Sequence, residues 1–390
     1  MSGSAGGPEV EAALHQVDRL ARLALNRLCE PGDLRVAALV AELGAPRLLD
    51  ALLADRDVAG MLDDVAGRLE SHDPERDLER AERRGFRWVV PGDPEWPTSL
   101  DDLEAAEPLQ RLGRAPLGVW VRGPVRLRDL SDPVAFVGSR SATTYGTDVA
   151  TDLAARLAHA GCVVVSGAAI GIDEAAHRGA LAGDGPTVAV LACGVDRAYP
   201  AKHERLLDHL GRHGAIVSEA APGCAPTRVR FLARNRLIAG LSRGTVVVEA
   251  AARSGALNSA NWTNRLLRPV MGVPGPVTSA TSEGVHELIR TGAATLVTRA
   301  AEVLELVGVA GEHLVEERRG PERVRDRLNP KEARVVEAVP VASPAPSDSI
   351  ARTAGLGVLE VTGVLATLAR RGLVEQLPVG WRLADGAAES

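Results

Sequence analysis

The amino-acid sequence predicts an α/β protein built around a Rossmann-like, doubly wound parallel sheet. Six short apolar runs mark the centre of the chain, beginning near Val134, Cys162, Thr187, Ala215, Thr245 and Val270. Segments long enough for a helix separate these runs, and strands that alternate with helices at about 25–30 residues per unit form parallel sheets with right-handed crossovers. The runs are apolar at successive positions, as in Val163–Val165, which is expected of strands covered by helices on both faces.

A small helical module is predicted ahead of the sheet, over residues 1–75. Leucines recur at helical spacing from Leu20 to Leu53, and Pro31-Gly32 interrupts the pattern. Several short helices in a segment of this length are typical of a SAM-like or helix-hairpin-helix-like module. The charged residues 71–83 predict a linker or an exposed helix.

The sheet domain is predicted to span residues 85–307. Two strand-like segments, Phe86–Val90 and Val119–Val121, precede the six apolar runs. The intervening helices are predicted at Thr147–Ala160, Ile172–Leu181, His203–Leu210, Leu232–Leu241 and Leu257–Leu267. In open parallel sheets, ligands bind beyond the carboxyl ends of the strands, so the loops that follow the runs form the candidate site.

A charged, irregular segment over residues 308–329 predicts a linker, and residues 330–390 predict a winged-helix domain with three helices and a hairpin. The helical patterns lie at 332–339, 347–354 and 358–371. The third helix would be the one that reads DNA, yet Arg370 and Arg371 stand only at its end. A reading helix presents donors from its first turns, so the pattern favours a protein contact or a weak, non-specific DNA contact.

Composition and charge exclude several classes of protein. The chain has 390 residues with 45 basic and 51 acidic side chains, a formal net charge of −6, which argues against a protein that coats nucleic acid or a membrane with its whole surface. The four cysteines form no CxxC pair, so a zinc finger or a thioredoxin-like site is not expected. The sequence has neither an apolar run of about 18 residues nor a signal-peptide pattern, so we expect a cytoplasmic protein without a membrane partner.

Glycine follows several of the predicted strands. Gly138, Gly167 and Gly255 stand in the loops after the first, second and fifth runs, where the absence of a Cβ lets a backbone approach a phosphate. Tight strand-to-helix turns are the alternative explanation. The first loop lacks G-x-G-x-x-G and neither lysine lies in a glycine-rich turn, so the sequence predicts no cofactor.

An uneven charge distribution marks residues 220–282, which hold eight arginines and one acidic residue, Glu249. Within this window Phe231 lies close in sequence to Arg234 and Arg236. Guanidinium groups hold phosphates and an aromatic ring stacks on an unpaired base, so the combination suits single-stranded nucleic acid. The alternative is a solvated helix face.

Other polar residues are weaker candidates. Asp173 could cap a helix, and His177 is interpreted as a satisfied surface histidine. Glu249 could be catalytic or could hold neighbouring loops by accepting N–H bonds. His177 has no second histidine or cysteine nearby, so no metal site is expected. No nucleophile, acid and base follow a recognisable order, and we expect a protein that is not an enzyme.

Four motifs follow one another along the central domain: V-G-S-R (137–140), S-G-x-A-x-G-I-D-x-x-A-H (166–177), A-V-L-A-C-G-V-D-x-x-Y-P (189–200) and F-x-x-R-N-R-L-I-A-G-L-S (231–242). In this order and spacing they resemble the DNA-processing protein family DprA, also called Smf. The resemblance implies a homodimer through the Rossmann-like domain that binds single-stranded DNA without sequence preference. It also implies that the protein protects this DNA and loads the RecA recombinase onto it during natural transformation or recombination.

The resemblance further implies which residues contact DNA, namely Arg140, Lys202, Arg234, Asn235 and Arg236. Together with the neighbouring loops, the predicted nucleic-acid site comprises Gly138, Ser139, Arg140, Ser166, Gly167, Gly171, Lys202, Phe231, Arg234, Asn235, Arg236, Ser254 and Gly255. The chain departs from the family pattern at Ala168, Ile170 and Leu232, and a basic residue is missing at position 170. These changes could weaken DNA affinity or shift it to other residues.

Two other functions are weighed against this one. The fold is also similar to that of phosphoribohydrolases, which cleave nucleoside monophosphates with a P-G-G-x-G-T-x-x-E loop. The corresponding residues here are 254–260, and no acidic residue follows them until Glu283. A nucleotide-processing enzyme that uses the Rossmann-like pocket is therefore the second hypothesis, and a transcription regulator led by the winged helix is the third.

Overall fold

A nine-stranded sheet forms the centre of the larger of two units into which the chain divides, Met1–Val315 and Glu316–Ser390. The computed structural model describes residues 8–54, 73–315 and 324–385. Within these residues the strands of the sheet are β1 (Phe86–Val89), β2 (Val119–Arg122), β3 (Val134–Val137), β4 (Val164–Ser166), β5 (Thr187–Leu191), β6 (Ala215–Ser218), β7 (Gly244–Val247), β8 (Val270–Gly272) and β9 (Thr295–Leu296).

The strand order is β1-β2-β6-β5-β4-β3-β7-β8-β9. From β6 to β9 in this order, neighbouring strands run parallel, whereas β1 and β2 extend one edge by antiparallel pairing. Chain order changes direction between β3 and β7, and sheets of this type bind ligands at such a point. The predicted parallel α/β fold is confirmed. Two features of the sheet were not predicted: the pairing of β1 and β2 with it, and the exposed two-residue strand β9. None of these three strands has a long apolar run.

Helices cover both faces of this sheet. In the first unit they are α1 (Pro8–Leu28), α2 (Leu34–Leu43), α3 (Ala45–Leu53), α4 (Pro74–Arg83), α5 (Thr144–His159), α6 (Ile172–Ala182), α7 (Glu204–His213), α8 (Arg228–Gly240), α9 (Ala256–Arg265), α10 (Glu283–Arg290) and α11 (Ala300–Val307). Side chains of β3 alternate between two cores, with Phe136 in the cluster that contains Leu153 of α5 and Val137 in the cluster that contains Leu237 of α8. Both faces are therefore apolar and covered.

The N-terminal helices are fastened to the sheet domain. Leu28 of α1 shares an apolar core with Leu48 of α3. Trp120 Nε1 of β2 donates a hydrogen bond to Asn26 Oδ1 at 3.1 Å, and Asn26 Nδ2 donates to the backbone oxygen of Glu219 at 2.7 Å. The end of α1 is thus bonded to the end of β6.

The segment predicted as a linker or an exposed helix contains α4. Asp73 accepts a hydrogen bond from the backbone N–H of Arg76 at its start, and Leu78 and Ala81 are buried in the cluster that contains Phe86 of β1. The helix is therefore packed on one side. Residues 55–72 of the predicted 1–75 module lie outside the described residues.

Within residues 324–385 the second unit contains three α-helices and a hairpin: α12 (Pro330–Ala338), α13 (Ser347–Ala354), α14 (Val358–Arg370), β10 (Val374–Leu377) and β11 (Gly380–Leu383). Asn329 and Glu332 form a capping box at the start of α12, which satisfies the free N–H groups of its first turn. Val335, Leu365 and Trp381 belong to a separate apolar core. In the described ranges no single helix is long and apolar enough to cross a membrane; α13 and α14 reach that length and composition only as a pair bent by 103°.

Candidate nucleic-acid interface

A cleft of about 690 Å³ opens where the strand order changes direction, beside the ends of β3 and β7 and the first turns of α8 and α9. Of the thirteen predicted site residues, eight line it: Gly138, Ser139, Arg140, Phe231, Arg234, Asn235, Ser254 and Gly255. Loops far apart in sequence meet here because parallel strands end at the same edge of a sheet. The fold therefore brings most of the predicted set together.

The glycines of the first two loops have a packing role. A Cβ on Gly138 would overlap the side chain of Ile172, and a Cβ on Gly171, whose φ is +91°, would overlap the backbone oxygen of Ser139. The N–H of Ser139 donates to the backbone oxygen of Glu249 at 2.7 Å. These contacts hold one loop against another, as the alternative explanation of tight strand-to-helix turns predicts.

Phe231 stands at the centre of an aromatic and cationic cluster. The guanidinium carbon of Arg140 lies 5.0 Å from its ring centroid and that of Arg234 lies 5.8 Å away. The ring of Tyr199 lies 5.6 Å from the same ring at a tilt of 57° and is 44% exposed. A smaller pocket of about 60 Å³ adjoins the cluster and is lined by Gly167, Tyr199 and Phe231. The site therefore offers half-exposed aromatic faces beside positive charge.

Three arginines with exposed side chains line the cleft, and we call Arg140, Arg228 and Arg253 the rim arginines. In the described part of the chain none of the three guanidinium groups makes a hydrogen bond or an ion pair, and that of Arg140 lies over the Phe231 ring. Arg228 is the first residue of α8, and Ala256 starts α9 beside the cleft. Two helix N-termini thus add positive potential to that of the rim arginines.

Arg234 and Arg236 form what we call the floor arginines, because both are buried. Arg234 is 6% exposed, and its Nη1 donates to the backbone oxygens of Gly167 at 2.8 Å and Val190 at 2.6 Å. Burial lowers the pKa of Arg234, whereas the neighbouring carboxylate of Asp173 acts to raise it. Arg234 therefore touches the cleft while it fastens α8 to the loop after β4.

Arg236 faces away from the cleft, since residues two apart on a helix point to opposite sides. Its side chain is fully buried and forms a two-point ion pair with Glu219, with N–O distances of 2.5 and 2.7 Å. Its Nε donates to the backbone oxygen of Arg114 at 3.0 Å. The expectation that this guanidinium holds a phosphate is corrected, because all three nitrogens are bonded within the protein.

Four other predicted site residues occupy different positions around the cleft: Ser166, Gly167, Lys202 and Asn235. Ser166 is fully buried and donates to the backbone oxygen of Phe136, so it supports the sheet and has no exposed group. Asn235 lines the cleft, but its Oδ1 accepts from Arg234 and its Nδ2 donates to Asn258. Lys202 is half exposed on the turn before α7, outside the lining of the cleft, with its Nζ 3.5 Å from Glu174.

The arginine-rich window contributes less free charge than its sequence suggests. Five of its eight arginines pair with carboxylates outside residues 220–282: Arg230 with Glu30, Arg236 with Glu219, Arg243 with Asp132, Arg265 with Glu107 and Arg268 with Asp102. The positive charge that is not paired with a carboxylate at the cleft comes from Arg228 and Arg253 of the window and from Arg140, which precedes the window. The predicted set of site residues did not include Arg228, Arg253 or Tyr199.

The three weaker candidates are all buried. Asp173 Oδ2 accepts from the backbone N–H groups of Gly167 and Ala169, so it holds this loop instead of capping a helix; burial raises its pKa, an effect that Arg234 opposes. His177, predicted at the surface, is fully buried against Thr187, and burial lowers its pKa to about 3. It is therefore neutral at physiological pH.

Glu249 takes the second of its two predicted roles. Its carboxylate accepts hydrogen bonds from the backbone N–H and the hydroxyl of Thr143 and from the hydroxyl of Thr281. The side chain holds the loops after β3 and β8 and is 1% exposed. In the described ranges no three His, Cys, Asp or Glu side chains are grouped to hold a metal ion.

Comparisons with known proteins agree with these motifs. The family model described as DNA recombination-mediator protein A matches residues 87–308. A Mycobacterium tuberculosis protein provisionally named DNA processing protein DprA is 44% identical over 367 residues, which cover 93% of this chain and 94% of the relative. The DNA processing protein DprA of Streptococcus pneumoniae is 39% identical over 205 residues, which cover 53% of this chain and 71% of the relative. The X-ray structure of DprA from Streptococcus pneumoniae aligns with a TM-score of 0.62 and 30% identity, covering 75% of this chain and 98% of that chain.

Proposed function

Because this chain belongs to the DNA recombination-mediator protein A family, we propose that it binds single-stranded DNA without sequence preference in the cleft around Phe231 and loads the RecA recombinase onto it in the cytoplasm. Membership of a family of recombination mediators confirms that the chain is not an enzyme. The observation that carries the proposal is the half-exposed ring of Phe231 beside the open guanidinium of Arg140.

The rim arginines support binding to the DNA backbone. Their guanidinium groups are exposed and have no hydrogen-bond or ion-pair partner in the described residues, so a phosphate could replace water without breaking a hydrogen bond within the protein. Phosphate contacts of this kind carry no sequence information. The expected binding is therefore electrostatic and independent of base sequence.

The aromatic cluster supports contacts to unpaired bases. A base in a duplex is stacked on its neighbours, whereas a base in a single strand can stack on an aromatic side chain. The rings of Phe231 and Tyr199 lie 5.6 Å apart at a tilt, which leaves their faces in different directions. We expect this cluster to favour single-stranded over double-stranded DNA.

Binding of fluorescent oligonucleotides tests this function directly. Affinity for single strands of different base composition should be similar, and affinity for a duplex of the same length should be lower. The logarithm of the binding constant should fall with the logarithm of salt concentration, by about 0.7 per phosphate contact. An affinity that does not change with salt, or tighter binding to the duplex, would contradict the proposal.

Loading of RecA onto the bound strand is a separate part of the proposal. It is supported by the description of the family as recombination mediators. The test is the rate of RecA-dependent ATP hydrolysis on single-stranded DNA covered by a single-strand-binding protein. This chain should shorten the lag, and Arg140→Ala should do so less. A lag that is unchanged by the wild-type chain would contradict loading while leaving DNA binding intact.

A homodimer through the sheet domain is also part of the proposal. Strand β9 pairs with β8, is the last strand of the sheet and exposes both of its residues, with Leu296 49% exposed. An open edge with an apolar side chain can pair with another copy. Sedimentation equilibrium should show a dimer for the wild type and weaker association for Leu296→Lys. A monomeric wild type would contradict this part.

For the second unit we propose the winged-helix fold and a contact with protein instead of sequence-specific DNA. Its three helices and antiparallel hairpin have the expected order. On α14, Leu359 is 92% exposed near the start, and Arg370 lies at the end. A first turn without donors does not suit base reading. Removal of residues 316–390 should leave single-strand affinity within about twofold, a difference of about 0.4 kcal/mol.

A further inference from the structure

His203 is a buried histidine whose two ring nitrogens both face acceptors. Its Nδ1 lies 2.9 Å from the backbone oxygen of Ala168, and its Nε2 lies 2.8 Å from Glu174 Oε2. The residue is 2% exposed. Carbonyl and carboxylate oxygens can only accept, so both nitrogens donate and the ring in this arrangement is an imidazolium.

The two acceptors connect His203 to the loop after β4 and to the first turn of α6. Ala168, with a φ of +55°, follows Gly167, whose backbone oxygen holds Arg234. Glu174 Oε2, the partner of His203, also lies 3.5 Å from Lys202 Nζ. The doubly protonated ring therefore joins the turn that carries Lys202 to the loop after β4 through Ala168, and to α6 through Glu174.

We propose that His203 and Glu174 are positioning residues for single-stranded DNA: the imidazolium holds the Lys202 turn against the loop after β4, so that DNA affinity falls when His203 loses its proton. The proposal rests on the proposed function. A neutral ring keeps only one donor, so either the Ala168 oxygen or the Glu174 carboxylate then faces a nitrogen lone pair.

The surrounding charges are compatible with this role. Glu174, His177 and Arg178 lie along α6, and Lys202 and Glu204 flank His203 along the chain. Partial burial acts to raise the pKa of Glu174, but the bonds and charges of His203, Arg178 and Lys202 outweigh it and lower the pKa, so the carboxylate stays charged.

His177 also has a charge interaction with His203, and Arg234 reaches the neighbouring Gly167 from α8. Burial lowers the pKa of His177 to about 3, so this side chain does not change charge between about pH 5 and about pH 8.

The first test detects the ring N–H protons of His203 directly, in the full chain without DNA. Nitrogen-15 NMR of the histidine rings should show both nitrogens of His203 protonated at about pH 6. His203→Gln identifies the resonance. A neutral tautomer at that pH would overturn the proposal, whatever the outcome of any binding assay.

The second test measures affinity for a labelled oligothymidine from about pH 5 to about pH 8, the interval in which unperturbed histidines titrate. Wild-type affinity should fall about fivefold as pH rises, and His203→Gln should remove this dependence. His159→Gln, at an exposed histidine of α5, is the matched control and should follow the wild type. If His203→Gln fails to fold, His203→Asn keeps one donor and serves instead.

The third test asks whether Glu174→Gln strengthens or weakens DNA binding. Removing a carboxylate beside Lys202 should strengthen DNA binding if only charge matters, whereas loss of positioning should weaken it. We expect Glu174→Gln to bind about fivefold more weakly at about pH 6. Equal or tighter binding, or a pH dependence that persists in His203→Gln, would overturn the positioning role alone. A wild type that binds no single-stranded DNA at any pH would contradict the proposed function itself.

Discussion

The exposed rim arginines and the buried floor arginines use the same side chain in opposite ways. The rim arginines are exposed and have no hydrogen-bond or ion-pair partner in the described residues, whereas the floor arginines are buried and bonded to backbone oxygens or to Glu219. A guanidinium that has exchanged its water for protein acceptors has fewer N–H groups left for a phosphate. Position in the fold, and not residue type, thus separates arginines that support folding from those open to a ligand.

The largest expected effect is that of removing the buried guanidinium of Arg236. Arg236→Ala leaves the buried carboxylate of Glu219 without its partner, and breaking a buried pair in this way costs about 3–5 kcal/mol of the free energy of unfolding. Urea unfolding measures it. The control is Arg243→Ala, which breaks the half-exposed pair with Asp132 and should cost at most about 1 kcal/mol. Similar losses in the two variants would remove the distinction between buried and open arginines.

Next in size is the loss of stacking at Phe231. Phe231→Ala should reduce single-strand affinity by about 1–3 kcal/mol for each base that stacks, and Phe231→Tyr should restore most of it. Fluorescence anisotropy with normal and abasic oligonucleotides measures the effect. Abasic sites should weaken the wild type and add little to the loss in Phe231→Ala. If abasic sites weaken both proteins equally, Phe231 does not stack.

At the rim, Arg140→Ala should weaken DNA binding without weakening the fold. Loss of one charge beside a phosphate corresponds to about 1 kcal/mol in water, and the salt slope should fall by about 0.7. Chemical unfolding should change by no more than about 0.5 kcal/mol, as for most exposed positions. A large loss of stability would place Arg140 with the floor arginines.

The smallest effects are expected for Arg228→Gln and Arg253→Gln. Each should lower affinity a few-fold, uniformly across base sequences, and reduce the salt slope by about 0.7. Arg265→Gln is the matched control, because Arg265 belongs to the same window but pairs with Glu107. A control that loses as much affinity would show that the window acts by its total charge.

Much of the fold could be predicted because its signals are local. The apolar run that begins near Val134 starts β3, and the run near Thr187 starts β5. The apolar pattern predicts that α8 starts at Leu232, four residues after its actual start, because Arg228 and Arg230 are polar and lie outside that pattern. The cap that starts this helix is the side chain of Thr227, which accepts from the N–H of Arg230.

The site was only partly predictable because pairing is not local. Glu30 and Arg230 are 200 positions apart, and no pattern in the sequence indicates that they meet. Arg234 and Arg236 look alike in sequence, and only the direction of each side chain on α8 assigns one to the cleft and the other to Glu219. His177 was placed at the surface because its burial depends on Thr187 of the next strand.

The bonds that join α1 to the sheet domain have a consequence for how this protein could have evolved. Asn26 binds the backbone of Glu219, the residue that anchors Arg236, and Glu30 holds Arg230 one position before Phe231. An ancestor that lost the first helix would have lost the support of the helix turn that carries its proposed base-stacking ring. The helical module and the sheet domain are therefore expected to be inherited together.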